Sequence, residues 1–268
     1  MKLRSQSSFA LLAVLASTAV YAQTSAPMPA SASAPAPATE PSYTLSANVG
    51  VVTDYRFRGL TQTSYNPALQ GGVDFSHKSG LYVGVWGSNV QWIKDYVGAT
   101  KGELEVDIYG GYKGSITKDL SFDVGAIAYQ YPDNTTGKVT GYKNADTTEV
   151  YVALTYSVVT AKYSYSTDNF IANSNSTGAR YLEVAATFDL GSGYSLTPHA
   201  GYQTVPNQSP TADYSDYALT LGKDFGNGWS ASAAAVATVN ADQTFYFGAP
   251  NGKLVSKNGM VLGVKYTF

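Results

Sequence analysis

Three charged residues, Asp54, Arg56 and Arg58, occupy alternate positions early in the chain. Alternate residues of an extended strand point to the same side, so these three charges would share one face. Two cations at a narrow opening would raise the local concentration of anions and select solutes by charge. The alternative is that the arginines pair with acidic residues of the same wall and serve packing alone. The sequence leaves both interpretations open.

Other charged residues stand at inward positions of later strand-length segments. They are expected to share one interior with the first group, and they are Glu105, Asp107, Glu149, Lys162, Glu183 and Lys265. Together the nine residues are the candidate lining of a lumen or constriction. The acidic members are the expected partners of the arginines if the arginines are paired.

Residues suited to enzymatic chemistry are few. The chain has two histidines and no cysteine, which excludes thiolate catalysis, thiolate metal sites and disulfides. His199 has inward parity in the middle of a strand, but no serine stands in a recognisable nucleophile motif, so a Ser–His hydrolase is disfavoured. We therefore predict a protein that is not an enzyme and that holds no metal and no cofactor.

The composition differs from that of an ordinary soluble domain. Charged residues make up 13% of the chain, which is about half of the usual share. Tyrosine occurs 22 times and glycine 26 times. The formal net charge of -2 argues against nucleic acid as a partner.

The first residues have the features of an export signal. Two basic residues precede an apolar run over 9–20, and Val20-Tyr21-Ala22 is a small-residue cleavage site. The next segment is rich in Ala, Pro and Ser and has no residues that could anchor a core. We therefore predict a signal peptide over 1–22, a flexible tether over 23–41 and a folded barrel over 42–268.

Apolar and polar residues alternate in strand-length segments throughout the folded part, as in Leu182, Glu183 and Val184. The predicted strands are 43–58, 67–77, 81–93, 102–114, 120–131, 147–158, 160–168, 179–190, 193–203, 214–225, 228–239 and 257–268. Short turns alternate with longer polar segments between them, which is typical of an outer-membrane barrel. We predict an all-β fold, a closed antiparallel transmembrane β-barrel of about 12 strands.

Aromatic residues cluster at the ends of the predicted strands, where lipid headgroups favour Tyr and Trp. By parity, Tyr55 and Phe57 are predicted to continue the lipid-facing side of the first strand into such an aromatic belt. The other predicted belt residues are Phe122, Tyr131, Tyr194, Tyr202, Tyr217, Phe225, Trp229, Tyr266 and Phe268.

The last strand has an additional feature. Leu262, Val264, Tyr266 and Phe268 share one parity, and the sequence stops on the phenylalanine. This pattern resembles the terminal recognition strand of outer-membrane proteins. The resemblance implies that the barrel-assembly machinery reads these four residues.

Asp54-Tyr55-Arg56-Phe57-Arg58-Gly59 is followed by Pro67-Ala68-Leu69-Gln70-Gly71-Gly72 and by Leu81-Tyr82-Val83-Gly84-Val85-Trp86. This succession resembles the TorF-family porins of the bacterial outer membrane, most specifically over residues 46–93. The resemblance implies a barrel with a pore. It transfers no reaction and no set of functional residues.

We predict a porin-like channel for passive passage of small polar or charged solutes, located in the outer membrane of a Gram-negative bacterium. The alternative is a non-conducting structural or surface-binding outer-membrane barrel. A lipid-modifying enzyme is disfavoured by the missing triad, and a soluble secreted β-protein by the alternation of turn lengths. The expected partners are outer-membrane lipid, the barrel-assembly machinery and small solutes. The sequence leaves the solute and the oligomeric state open.

Overall fold

A computed structural model describes residues 41–248 and 252–268. The predicted signal peptide and nearly all of the predicted tether lie outside the described residues. The long strands are β1 (Tyr43–Val52), β2 (Ala68–His77), β3 (Leu81–Asn89), β4 (Leu104–Ser115), β5 (Leu120–Gln130), β6 (Thr147–Tyr156), β7 (Val159–Ser166), β8 (Arg180–Ala186, continued as Phe188–Gly191), β9 (Tyr194–Thr204), β10 (Tyr214–Gly226), β11 (Trp229–Val239) and β12 (Gly259–Thr267).

These strands form one closed antiparallel sheet. Each strand pairs with its neighbours in sequence, and β12 pairs with β1, with Val264 opposite Val51 and Thr267 opposite Asn48. The predicted fold class, a closed antiparallel barrel of 12 strands, is confirmed. A closed sheet has no free edge, so the backbone hydrogen bonds of its wall are satisfied without water.

The two faces of the wall follow the period-two pattern. Leu182 of β8 and Leu219 of β10 face outward with about half of their surface exposed, at 50% and 49%. Glu105 of β4 and Glu149 of β6 face inward and are buried. The outer surface is therefore apolar and the interior polar, which is the arrangement that a membrane-spanning barrel requires.

The connections differ in length between the two ends of the barrel. Five short turns lie at the end where both described termini are found, since Ser42 accepts a hydrogen bond from Lys78 N and Phe268 N donates to Ala47 O. The six long connections at the other end are 53–67, 90–103, 131–146, 167–179, 205–213 and 240–258, of which 249–251 are not described. We call this the loop end.

The long connections contain only short regular elements. They are the helix α1 (Trp92–Asp95), the 3₁₀ turn Thr136–Lys138 and two pairs of two-residue strands, Arg56–Phe57 with Leu60–Thr61 and Phe247–Gly248 with Lys253–Leu254. Within the described part of the chain, no helix has the length and apolar character needed to cross a membrane.

The predicted aromatic belt holds for most of its members and fails for Tyr131, as it does for Tyr55 and Phe57, which are described with the site below. Tyr194 and Trp229 are exposed at 44% and 51%, as a belt requires. Tyr131 is 2% exposed, with its ring 5.4 Å from that of Trp92. The prediction was wrong because Tyr131 continues the parity of Ile127 and Tyr129, which are the buried, inward residues of β5.

Tyrosine rings inside the barrel lie across glycines of neighbouring strands. Tyr109 stands directly opposite Gly84, and a Cβ added to Gly84 would lie 2.5 Å from the Tyr109 ring. Tyr151 lies in the same way across Gly125. Because glycine has no side chain, these positions leave room for large aromatic rings to lie against the wall.

Candidate functional site

Residues 54–64, which follow β1, leave the wall and fold into the barrel. We call them the inward segment. β1 ends at Val52, and positive φ angles at Arg58 and Gly59, 47° and 82°, turn the chain back on itself. Arg56 pairs with Thr61 and Phe57 with Leu60 in a two-residue hairpin. Nearly every residue of the segment is buried, so it crosses the interior at the loop end.

The inward segment corrects the prediction that Tyr55 and Phe57 face lipid. Their side chains are 2% and 6% exposed, and their rings pack 5.5 Å from those of Trp86 and Tyr129 inside the barrel. The parity argument assumed that the strand continues to Arg58. Because the strand stops at Val52, parity no longer relates the two aromatic residues to the outer face.

Arg58 joins the inward segment to two separate strands. Its guanidinium donates to Glu149 Oε2 of β6 at 2.6 Å and to Gln203 Oε1 of β9 at 2.7 Å, and it lies 4.3 Å from the centre of the Tyr181 ring. Burial lowers the pKa of Arg58, but the charge of Glu149, the hydrogen bond to it and the nearby Tyr129 and Tyr181 together hold the pKa above its ordinary value. The guanidinium is therefore charged and paired.

Arg56 is satisfied closer to its own position. It forms an ion pair with Asp54 and donates to the carbonyl oxygens of Gly59 at 2.9 Å and Lys257 at 2.7 Å. Asp54 also accepts from Thr61 Oγ1 at 2.5 Å. Of the two readings of the arginines, the structure favours packing against carboxylates, and it brings Asp54, Arg56 and Arg58 together in one folded segment.

The carboxylates of β4 lie beside this segment. Tyr55 Oη donates to Glu105 Oε1 at 2.9 Å, and burial, together with the charge of Glu105, holds the pKa of Tyr55 well above its usual range. Glu105 Oε2 and Asp107 Oδ1 are buried and have no hydrogen-bond partner among the described residues. Two carboxyl groups with which the arginines do not pair are therefore located on β4.

A second charged group lies further along the interior. Lys162 Nζ is 4.0 Å from Glu183, and His199 Nε2 is 3.1 Å from the same carboxylate. His199 Nδ1 is 3.6 Å from Asp216, which also accepts a hydrogen bond from Tyr181. The structure thus places the predicted lining residues Lys162 and Glu183 together. His199 and Asp216 belong to the same charged group. In the described ranges no cluster of His, Asp and Glu has the arrangement of a metal site.

The remaining candidate residues belong to β12. Lys265 is partly buried on the inward face. Leu262 and Val264 are each 53% exposed on the outer face, and Phe268 is 73% exposed. Tyr266 lies between Trp229 and Phe268, with ring centres at 4.9 and 4.8 Å. Recognition of this strand by the assembly machinery stays a prediction.

The loop end contains an apolar cavity that the sequence analysis did not predict. Its empty space is about 630 Å³, which includes a part that is open to solvent. Its lining residues come from all six long connections or the strand ends beside them, and they are Phe57, Leu60, Thr61, Gln62, Trp92, Tyr96, Val97, Tyr142, Phe170, Ile171, Asn173, Val205, Tyr214, Phe245, Tyr246 and Val255. The only sequence signal was the aromatic content of these connections.

Comparison with known proteins places the chain in a family and relates its fold to porins. Residues 36–268 match the family described as "Bacterial protein of unknown function (Gcw_chp)". No curated protein sequence is significantly similar to the chain. The solved KdgM porin is similar with a TM-score of 0.52 and 9% sequence identity, covering 83% of this chain and 99% of that one.

Two further solved structures have the same degree of similarity. KdgM porin in complex with disordered oligogalacturonate has a TM-score of 0.52 at 8% identity, and the NanC porin has a TM-score of 0.52 at 10% identity. Each again covers 83% of this chain and 99% of its own. At such low identities the likeness shows a shared fold, that of a porin barrel.

Proposed function

The chain belongs to the Gcw_chp family of bacterial proteins, and from its barrel we propose that it is an outer-membrane porin-like channel for passive passage of small polar or charged solutes. The observation that carries the proposal is a closed barrel that is apolar outside and charged inside. Eight strands leave an interior filled by side chains and sixteen leave an aqueous pore, so twelve strands suit a narrow channel.

The channel is closed in this conformation by the inward segment. Solute passage then requires residues 54–64 to move away from Glu149 and Gln203, since Arg58 binds both. The segment is attached to the wall at its two ends, by β1 and β2, so it can move without unfolding the barrel. We propose that it acts as the gate.

The charge of the lining indicates which ions the open channel favours. Arg58 and Arg56 are paired with Glu149 and Asp54, so their charges are compensated. The carboxylates of Glu105 and Asp107 have no cationic partner within the described residues. We therefore propose that these two carboxyl groups ionise when water reaches them in the open channel and give it a preference for cations, which reverses the anion preference expected of unpaired arginines.

The porin fold of KdgM and NanC supports the location and the channel role. One of these structures is described as a KdgM porin with oligogalacturonate, so a protein of this fold does bind a soluble sugar-derived ligand. Export through a cleaved signal peptide over 1–22, insertion through the C-terminal strand, and membership of the TorF-family porins are proposals that rest on the sequence.

A second candidate function is a non-conducting outer-membrane barrel. The observation in its favour is the same inward segment, whose buried ion pairs could hold the interior shut permanently. Such a barrel would serve a structural role or bind molecules at its loop end.

Planar-bilayer conductance separates the two functions. The wild-type chain is compared with a variant in which residues 54–64 are replaced by a short Gly-Ser linker. The matched control carries a replacement of equal length over 132–142, in another long connection. Heat-modifiable migration in detergent gels verifies that each barrel is folded. Current through the first variant that exceeds that of the control supports a gated channel. Folded barrels that never conduct, with or without the segment, would establish the non-conducting alternative.

A further inference from the structure

The apolar cavity at the loop end has the shape and the lining of a small-molecule site. Ligand pockets in proteins are concave and mostly apolar. The cavity here is partly enclosed, and its empty space of about 630 Å³ includes a part that is open to solvent. It lies at the loop end, where Phe57 and Leu60 of the inward segment form part of its lining.

The lining of the cavity contains no charged side chain. An ionised ligand would lose its hydration there without gaining an opposite charge, which is costly. Aromatic rings line much of the cavity instead, and they belong to Phe57, Trp92, Tyr96, Phe170 and Tyr246. Such rings bind other flat rings by stacking and by edge-to-face contact. The lining therefore favours a neutral ligand with a planar ring.

One buried polar atom of the lining has no hydrogen-bond partner among the described residues. The hydroxyl of Tyr96 donates to Phe245 O, and that of Tyr246 donates to Ala212 O at 2.5 Å, so both are already used. Trp92 is 6% exposed, and its indole N–H is buried with no acceptor among the described residues. A buried donor left without a partner is costly, and a ligand acceptor would remove that cost.

We propose that this cavity binds a small, neutral, planar ring compound that carries one hydrogen-bond acceptor, such as a carbonyl oxygen, for the indole N–H of Trp92. The aromatic rings hold the planar part and the indole fixes its orientation. This site goes beyond the proposed channel, because the closed conformation that forms it is shared by the gated channel and the non-conducting barrel.

Binding is tested with two probes of similar size, coumarin, which has a carbonyl acceptor, and naphthalene, which has none. The full chain is reconstituted in nanodiscs, and binding is measured by equilibrium dialysis against empty nanodiscs. We expect saturable binding of coumarin at one site per chain. Trp92→Phe keeps a ring and removes the donor, so it should weaken coumarin binding about fivefold, the equivalent of one neutral hydrogen bond.

The controls separate the site from general effects on the barrel. Trp92→Phe should leave naphthalene binding unchanged, and Trp86→Phe, in the interior beside Tyr55, should change neither probe. Val97→Phe fills part of the cavity and should weaken both probes. The absence of saturable binding to folded wild-type protein would overturn the proposal. So would a Trp92→Phe variant that binds coumarin as tightly as wild type or loses both probes equally.

Discussion

Replacing Arg58 by methionine should release the inward segment from the barrel wall. The guanidinium is 3% exposed and makes charge-assisted hydrogen bonds to Glu149 and Gln203, at 2.6 and 2.7 Å. Methionine fills a similar volume but makes neither bond. Glu149 Oε2 would then keep the hydroxyl of Tyr129, at 3.3 Å, as a hydrogen-bond donor.

The size of the expected shift from closed to open forms follows from the cost of leaving the charge of Glu149 buried and uncompensated. Removing one partner of a buried ion pair costs about 3–5 kcal/mol. Because the barrel is held by a closed sheet, we expect this cost to fall on the closed position of the segment, with the barrel itself remaining folded. At about 1.4 kcal/mol per factor of ten, the ratio of open to closed forms should rise by at least about 100-fold.

Single-channel recording measures this ratio as the open probability. Arg58→Met should open far more often than wild type. Arg58→Met combined with Glu149→Gln should open less often than the single variant, because no unpaired charge remains in the interior. Arg180→Met removes an exposed arginine at the start of β8 and should behave as wild type. If Arg58→Met opens no more often than Arg180→Met while folding normally, the inward segment is not held by this ion pair.

Further predictions concern topology, assembly, stability and selectivity. Protease added to whole cells should cut within 132–146, which contains the exposed Lys138, and cutting at 191–193 instead would invert the topology. Deleting Phe268 should lower the amount of barrel in the outer membrane more than it lowers the melting temperature of the barrel that does assemble; unchanged membrane levels would contradict this. Leu219→Arg on the apolar outer face should destabilise the barrel by about 2–4 kcal/mol in urea unfolding, whereas Leu219→Ala should cost far less. The Gly-Ser linker variant should show a cation-selective reversal potential under a salt gradient, and an anion-selective one would refute our assignment of the lining charge.

The wall of the barrel could be predicted from the sequence because its residues obey a local rule. Period-two alternation assigns each residue of a strand to the lipid or to the interior, so Glu105, Glu149 and Glu183 were expected inside, where they lie. Long and short connections alternate along the chain, so the two ends of the barrel could also be told apart.

The inward segment and the cavity could not be predicted in the same way. The segment depends on partners far along the chain, since Arg58 binds residues 91 and 145 positions away. The cavity collects side chains from all six long connections, none of which has a periodic pattern. A local signal existed only at Arg58-Gly59, where a positive φ ends any strand, and Gly is the residue that adopts it most easily.

The tyrosine rings that lie across glycines imply that the two residue types change together during evolution. A methyl group at Gly84 would collide with the ring of Tyr109 directly opposite and push it towards the centre of the barrel. A relative that has a larger residue at the position of Gly84 should therefore have a smaller one at the position of Tyr109. The same exchange is expected for Gly125 and Tyr151. The inner diameter of the barrel would then be kept constant by pairs of residues, in which the size of one limits the size of the other.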